Sequence, residues 1–256
     1  MIIYFSGTGN SRFVAHFLGD RLHENVSEIT VNGISTPPSQ DERLIWVFPI
    51  YAWGLPQIIR RTIKDLAASQ PTQGRKNYMV CTCGDDTGEA HRMWRKEITA
   101  AGWQPCATFS VTMPNTYVLL PGFDVDPKPI EKAKLEKAPE RMETIARQIE
   151  DDWKGDDVTT GNFKWIKTAW FYPFFMRHLM SPKPFHPITD TCIKCGKCIK
   201  ICPMANIAWG KDKYPEWNDN CEMCLACYHC CPTHSVAYGN KTARKGQYLF
   251  PKNEST

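Results

Sequence analysis

Two runs of cysteine in this 256-residue chain have the types and spacing for electron chemistry. Cys192, Cys195, Cys198 and Cys202 precede Pro203, and Cys221, Cys224, Cys227 and Cys231 precede Pro232, each run reading Cys-x2-Cys-x2-Cys-x3-Cys-Pro. The second run follows the first by 29 residues at every position, which marks a duplicated supersecondary unit. Three thiolates on one tight loop can grip one face of a 4Fe–4S cubane, while the fourth opens the next segment. Zinc also uses Cys-x2-Cys pairs, but a tetrahedral ion takes two pairs across a longer loop and gains nothing from a third cysteine at that spacing. The expectation is two 4Fe–4S clusters. Cys230 is left over, because the trailing proline sets the register on Cys231; His229 and His234 are expected to be structural or exposed.

A second pattern suits an anion. Ser6-Gly7-Thr8-Gly9-Asn10-Ser11 follows a short apolar strand and opens an amphipathic segment, so hydroxyls, backbone N–H groups and a helix N-terminus meet there. Small residues let the backbone approach a phosphate closely. A nucleoside-triphosphate loop needs a lysine before its Ser/Thr, and none is present. A dinucleotide fingerprint needs glycine where Arg12 stands. The remaining fit is the flavodoxin phosphate loop, Ser/Thr-x-Thr-Gly-x-Ser/Thr; the bland alternative is a loop that only turns the chain.

These residues need a scaffold, and the N-terminal 155 or so residues supply its pattern. Strand-like apolar runs at Ile2–Phe5, Val26–Val31, Leu44–Ile50, Tyr78–Cys83 and Thr108–Met113 alternate with helical segments at Ser11–Leu22, Pro56–Ala68, Gly88–Ala101 and Ile130–Asp152. In the last, Ala138, Met142, Ile145 and Ile149 form one apolar stripe, and Pro139 is expected to start or kink the helix. Five strands alternating with helices imply an α/β doubly wound, five-stranded parallel sheet with helices on both faces. Cys81 and Cys83 fall in or at the end of a strand. Asp151–Gly161 breaks the pattern, and Phe163–Phe185 follows, rich in aromatic residues with Lys164, Lys167, Arg177 and Lys183 interspersed. It is too short and too charged to span a bilayer; packing between two domains is expected, with an interfacial membrane contact or partner-docking helix as the alternative.

With those motifs in view, the chain resembles a flavodoxin-like domain fused to a bacterial-type two-cluster ferredoxin domain, as in the iron–sulfur flavoprotein-like electron carriers. The resemblance rests on Ser6–Ser11, on Pro49-Ile50-Tyr51-Ala52-Trp53-Gly54-Leu55-Pro56 and on the two cysteine repeats. It implies residues 1–155 as an FMN-binding domain, 156–186 as an aromatic-rich linker or docking segment, and 187–250 as a small α+β domain with two clusters. By that resemblance the clusters are ligated crosswise, one by Cys192, Cys195, Cys198 and Cys231, the other by Cys221, Cys224, Cys227 and Cys202. Ser6, Thr8, Gly9, Asn10 and Ser11 would hold the FMN phosphate. Tyr51, Trp53 and Gly54 would border one side of the isoalloxazine ring, and the Thr82–Asp86 loop, with Thr82 and Gly84, the other. Met113–Tyr117 is expected near the ring's edge.

The implied activity is a relay of single electrons between the clusters and FMN, with redox proteins as partners. A flavin-dependent reductase of a small substrate, or a flavin-free docking module of a larger redox complex, is the alternative; no acid–base or nucleophile constellation stands out. The formal charge of +4 does not indicate nucleic acid, because two thiolate-ligated clusters remove roughly four charges and a flavin phosphate takes more. The start, Met-Ile-Ile-Tyr-Phe, lacks a basic n-region, and the cysteines are spaced for metal rather than disulfides, so a reducing, cytoplasmic setting is expected.

Overall fold

The computed structural model describes residues 1–40 and 42–250. Along the chain run β1 (Ile2–Tyr4), α1 (Asn10–Leu22), β2 (Val26–Thr30), β3 (Gly33–Ile34), β4 (Leu44–Pro49), α2 (Gln57–Ser69), β5 (Lys76–Cys83), α3 (Ala90–Ala100), β6 (Gln104–Thr112), α4 (Lys128–Glu150) and β7 (Gly155–Asp157). They build one seven-stranded sheet in the order β3-β2-β1-β4-β5-β6-β7. All neighbours are parallel except the short β2–β3 hairpin.

Alternation along the strands divides the core into two layers. Ile2, Tyr4, Ile45, Val47 and Val80 face α1 and α4; Ile3, Phe5, Trp46, Phe48 and Met79 face α2 and α3. Successive strand residues point to opposite faces, so a strand covered on both sides must be apolar throughout, and Leu44–Phe48 is fully buried. The one polar atom of that run, Trp46 Nε1, donates to Asn77 Oδ1 at 2.8 Å, so the buried indole is satisfied.

The sheet departs from the five strands expected in two places. β3 adds a hairpin at one edge, and β7 adds a parallel strand at the other, inside the stretch read as a break. Gly155–Asp157 carries no apolar period because it is an edge strand held by side chains: Thr108 Oγ1 donates to Asp156 Oδ1 at 2.6 Å, and Arg141 pairs with Asp157 at 2.7 Å. Nor does Pro139 start its helix; α4 begins at Lys128 and runs through it. A proline there forgoes one backbone bond at a cost of about 3 kcal/mol, which the buried stripe Ala138, Met142, Ile145 and Ile149 offsets.

Beyond the sheet, α5 (Lys164–Ile166), a π-helical stretch (Lys167–Phe171) and α6 (Tyr172–His178) form one rod. Wide turns precede Pro173, which has no N–H to continue an ordinary ladder. Then come β8 (Phe185–Pro187), α7 (Lys197–Ile201), β9 (Ile207–Trp209), β10 (Pro215–Trp217), α8 (Ala226–His229) and β11 (Val236–Tyr238). β9 pairs antiparallel with β10, and β11 with β8. The repeat in the sequence is a repeat in the backbone: β9 and β11 start 29 residues apart. So do the left-handed residues Lys194 and Met223, Gly196 and Leu225, and Ala205 and His234.

Candidate functional site

Among the five strands expected from sequence the order is β2-β1-β4-β5-β6, the flavodoxin-type order, whose switch point lies beside β1. Beyond the carboxyl ends of the strands lies an open cleft. It gathers Ser6, Thr8, Asn10, Ser11, Tyr51, Thr82 and Gly84 on one wall system, with Asn115 and Tyr117 from the loop after β6. Of the residues expected around a flavin, Gly9, Trp53, Gly54, Asp85 and Asp86 stand outside this lining.

The Ser6–Ser11 loop is tightly held. Gly9 is left-handed at φ 100°, and its N–H donates to Ser6 Oγ at 3.2 Å. Ser11 and Thr82 share a hydroxyl–hydroxyl bond of 2.8 Å, tying the loop to β5. Asn10 is turned inward: its Nδ2 donates to Pro114 O at 3.0 Å, and its Oδ1 accepts from Tyr248 O–H at 2.8 Å. Its side chain therefore braces the loop, leaving the backbone N–H to meet an anion at the start of α1. Asn10→Ala strands the buried Pro114 carbonyl and Tyr248 hydroxyl. We expect a loss of about 2 kcal/mol, read as a lower urea midpoint at unchanged slope.

The ring-side loops are ordered differently from expectation. Tyr51 and Gly54 bond each other in both directions, at 3.0 and 2.9 Å, with Ala52 and Trp53 both at positive φ between them. Trp53 turns from the cleft toward the rod: its carbonyl accepts from Thr168 Oγ1 at 2.8 Å, and Lys167 Nζ lies 4.9 Å over its ring. Gly54 lies under the ring of Tyr172, where a Cβ would come within 2.3 Å. Trp53 lines an adjoining chamber with Tyr117, Phe123, Phe171 and Phe175, bordered by Asp85 and Asp86. Asn115 closes over Gly84 and is aimed by Asp126, which accepts from its N–H at 2.9 Å and its Nδ2 at 3.0 Å. Burial alone would raise the Asp126 carboxyl, but hydrogen bonds from Lys134 and Asn115 outweigh it and hold the pKa below the usual range. Burial raises both strand thiols, Cys83 to about 12, which leaves them inert at neutral pH.

The eight repeat cysteines gather into two groups of four. Cys192, Cys195, Cys198 and Cys231 line one cavity; Cys202, Cys221, Cys224 and Cys227 line another. Burial raises the Cys198 thiol to about 11, followed by the fields of Cys231 and Cys192. Burial likewise raises Cys221 to about 11, with the field of Cys202 adding to it. Cys230 lies close to the first group, burial pushing it up to about 12, yet it is not on the cavity wall and its Sγ bonds Cys227 O at 3.4 Å. Backbone N–H groups point at sulfur in matching places: Asn206 to Cys202 Sγ at 3.3 Å, and Ser235 to Cys231 Sγ at 3.1 Å. Among the described residues no three His, Cys, Asp or Glu side chains converge tightly enough for a single metal ion. Of the eight thiols Cys227 is buried, Cys195 is exposed and the other six are half-buried.

The second group abuts the cleft. A Cβ on Gly7 would sit 2.4 Å from Cys224 O, so the Ser6–Ser11 loop and the cysteine loop are in backbone contact. Met223, Cys224 and Leu225 form part of the cleft wall. Tyr51 is on the cleft wall, and burial, with the nearby Cys224, Glu222 and Cys221, holds its hydroxyl above its ordinary pKa. Glu222 faces the first N–H groups of α2, at Ile58 and Gln57, which offset the burial that raises its pKa. His229 is buried: its Nε2–H donates to Thr116 O at 2.7 Å, and its Nδ1 accepts from Tyr248 N–H at 3.1 Å. Burial pushes its pKa down to about 4, so it is a neutral strut between α8 and the cleft loop. The tail finishes the enclosure, Phe250 N–H donating to Thr8 O at 2.8 Å while its ring stacks on Phe13 at 4.4 Å. No local spacing signals Met223, Leu225, Tyr248 or Phe250, which reach the cleft only through long-range contacts.

No protein-family model and no curated protein matches the chain. Solved structures that resemble part of it include a flavodoxin from Streptococcus pneumoniae, at 17% identity, 59% of this chain, 96% of that one and TM-score 0.38. A WrbA-like flavodoxin protein from Agrobacterium tumefaciens is similar at 15% identity over 57% of this chain and 96% of that one, TM-score 0.35. A putative flavoprotein from Bacteroides uniformis is similar at 13% identity over 44% and 88%, TM-score 0.34. At these scores the likeness carries no weight beyond the strand order already described.

Proposed function

We propose that the chain is an electron carrier of two units, relaying single electrons between two 4Fe–4S clusters and an FMN. The observation that supports this most is the backbone contact of Gly7 with Cys224, which brings an anion loop and one cysteine group to the same cleft. In this reading Cys202, Cys221, Cys224 and Cys227 hold the inner cluster, and Cys192, Cys195, Cys198 and Cys231 the outer one. FMN would occupy the cleft, its phosphate at the amides and hydroxyls of Ser6–Ser11 and its ring between Tyr51 and Thr82–Gly84. When bound, the flavin handles one or two electrons while the clusters move one at a time, so the pair converts between the two kinds of chemistry. The chain's own part is to bury the sulfurs, aim the amides of Asn206 and Ser235 at them, and exclude water with the tail. Iron, sulfide and FMN measured on anaerobically purified protein test the reading; a chain that releases no flavin on denaturation loses the FMN half.

A redox protein partner would reach the outer group, where Cys195 is exposed among Lys194, Lys197 and Lys200. None of these lysines forms an ion pair among the described residues, so an acidic carrier suits the surface. Lys194→Glu with Lys197→Glu is expected to slow reduction by an acidic carrier protein about tenfold at low salt, the difference fading as salt rises. Stopped-flow reduction across an ionic-strength series measures it, and a rate indifferent to both changes removes this entry point. The aromatic chamber beside the cleft favours a second reading, a reductase of a small flat substrate. Sustained turnover of such an acceptor would select it.

A further inference from the structure

From Val158 to Thr189 the sequence contains no Asp or Glu, yet Lys164, Lys167, Arg177 and Lys183 lie within it. The rod Lys164–His178 occupies the centre of that stretch. Its inner side is held down: Tyr172 O–H donates to Leu55 O at 2.6 Å, Lys167 pairs with Asp86 at 2.6 Å, and Lys164 with Glu89 at 3.1 Å. Its outer side is bare. Phe163 is 76% exposed, Ile166 60%, Trp170 77% and Phe174 52%, with Trp165 beside them at 57%. Phe163, Ile166, Trp170 and Phe174 follow at spacings of three, four and four, so they form one face, and the exposed Arg177 and His178 continue it. These inner contacts all run to Leu55, Asp86 and Glu89, in the sheet-bearing part of the chain.

We propose that this face seats the protein on an anionic lipid surface, the rod lying in the headgroup plane. Tryptophan and phenylalanine are the side chains that settle at that boundary, and a helix with such a face and cationic flanks binds there. The charge is matched to phosphate headgroups: Arg177 and Lys183 have no ion-pair partner among the described residues, and Asp86 and Glu89 are occupied on the inner side. A protein surface covering this face would ordinarily be met with charges of both signs, whereas the stretch from Val158 to Thr189 carries only cations. No helix of the described residues is long and apolar enough to cross a membrane, in keeping with a rod that lies flat. The inference does not depend on the cofactors.

Cosedimentation of the full-length protein with phosphatidylglycerol–phosphatidylcholine vesicles, against phosphatidylcholine alone, tests it. Partitioning is expected to be about tenfold stronger on the anionic vesicles at low salt. Trp170→Ala with Phe174→Ala should weaken it on both kinds of vesicle by about tenfold, since less apolar surface enters the boundary, with the circular dichroism spectrum unchanged. Arg177→Glu with Lys183→Glu should abolish the anionic preference. Quenching of wild-type tryptophan fluorescence by brominated lipid gives a reading that needs no variant. Equal binding to both vesicles, no quenching, or indifference to the Trp170 and Phe174 changes overturns the proposal. So does a concentration-dependent dimer, formed without lipid, that Trp170→Glu dissociates.

Discussion

Cys202→Ala is expected to remove about half of the iron and sulfide, emptying the inner group while the outer one keeps its four ligands. The reason is spatial: Cys202 follows Cys198 closely in sequence, yet its thiol faces Cys221, Cys224 and Cys227, and the fields on those thiols include it. Cys195→Ala should do the converse. If the inner group is the link to the cleft, only the Cys202 variant should also leave the flavin oxidised when a one-electron donor reduces the protein. Metal analysis with anaerobic optical and electron paramagnetic resonance spectra separates the two variants. Identical residual spectra from both would sink the crosswise assignment. Some loss of stability should accompany either change, because binding of the core and folding of these loops are coupled.

Gly7→Ala is expected to weaken FMN binding by one to two orders of magnitude, although no side chain that would touch the flavin changes. The added Cβ would meet Cys224 O at 2.4 Å and Cys224 Cβ at 2.8 Å, and a backbone carbonyl on a ligand loop has little room to give. Overpacking of this kind costs about 1–3 kcal/mol, which corresponds to roughly tenfold to a hundredfold if it falls on the bound state. Fluorescence titration of flavin into the stripped protein measures the affinity, and the thermal midpoint shows how much of the strain is felt without ligand. An affinity equal to wild type, with the protein folded, would mean that the contact is not part of the site.

Much of the fold was legible because its rules are local. Strand alternation and the period of helical stripes depend on neighbours a few residues apart, and so the five central strands and four helices fall where the apolar pattern puts them. β7 was not legible: three residues, Gly155–Asp157, carry no apolar signal and are held by Thr108 and Arg141 from afar. Pro139 does not mark the start of α4, which runs through it, because its local penalty is outweighed by packing that the sequence does not display. Trp53 looked like a ring contact, but the rod claims it through Thr168 and Lys167.

The cysteine spacing by itself determined which eight thiols could act together, because the pattern and its repeat are written in adjacent residues. Ser6–Ser11 likewise stood out as a hydroxyl-rich turn before a helix, which is local chemistry. Only the tertiary structure decided what those two motifs do to each other. Gly7 meets Cys224, Tyr248 bonds Asn10, and Phe250 closes on Thr8 across separations no periodicity spans. The outward face of the rod was decided there too: an aromatic run can be core or surface, and which side is covered depends on where α2 and the Tyr51–Gly54 turn lie. Contacts of that kind follow from packing of whole elements rather than from neighbours in the chain.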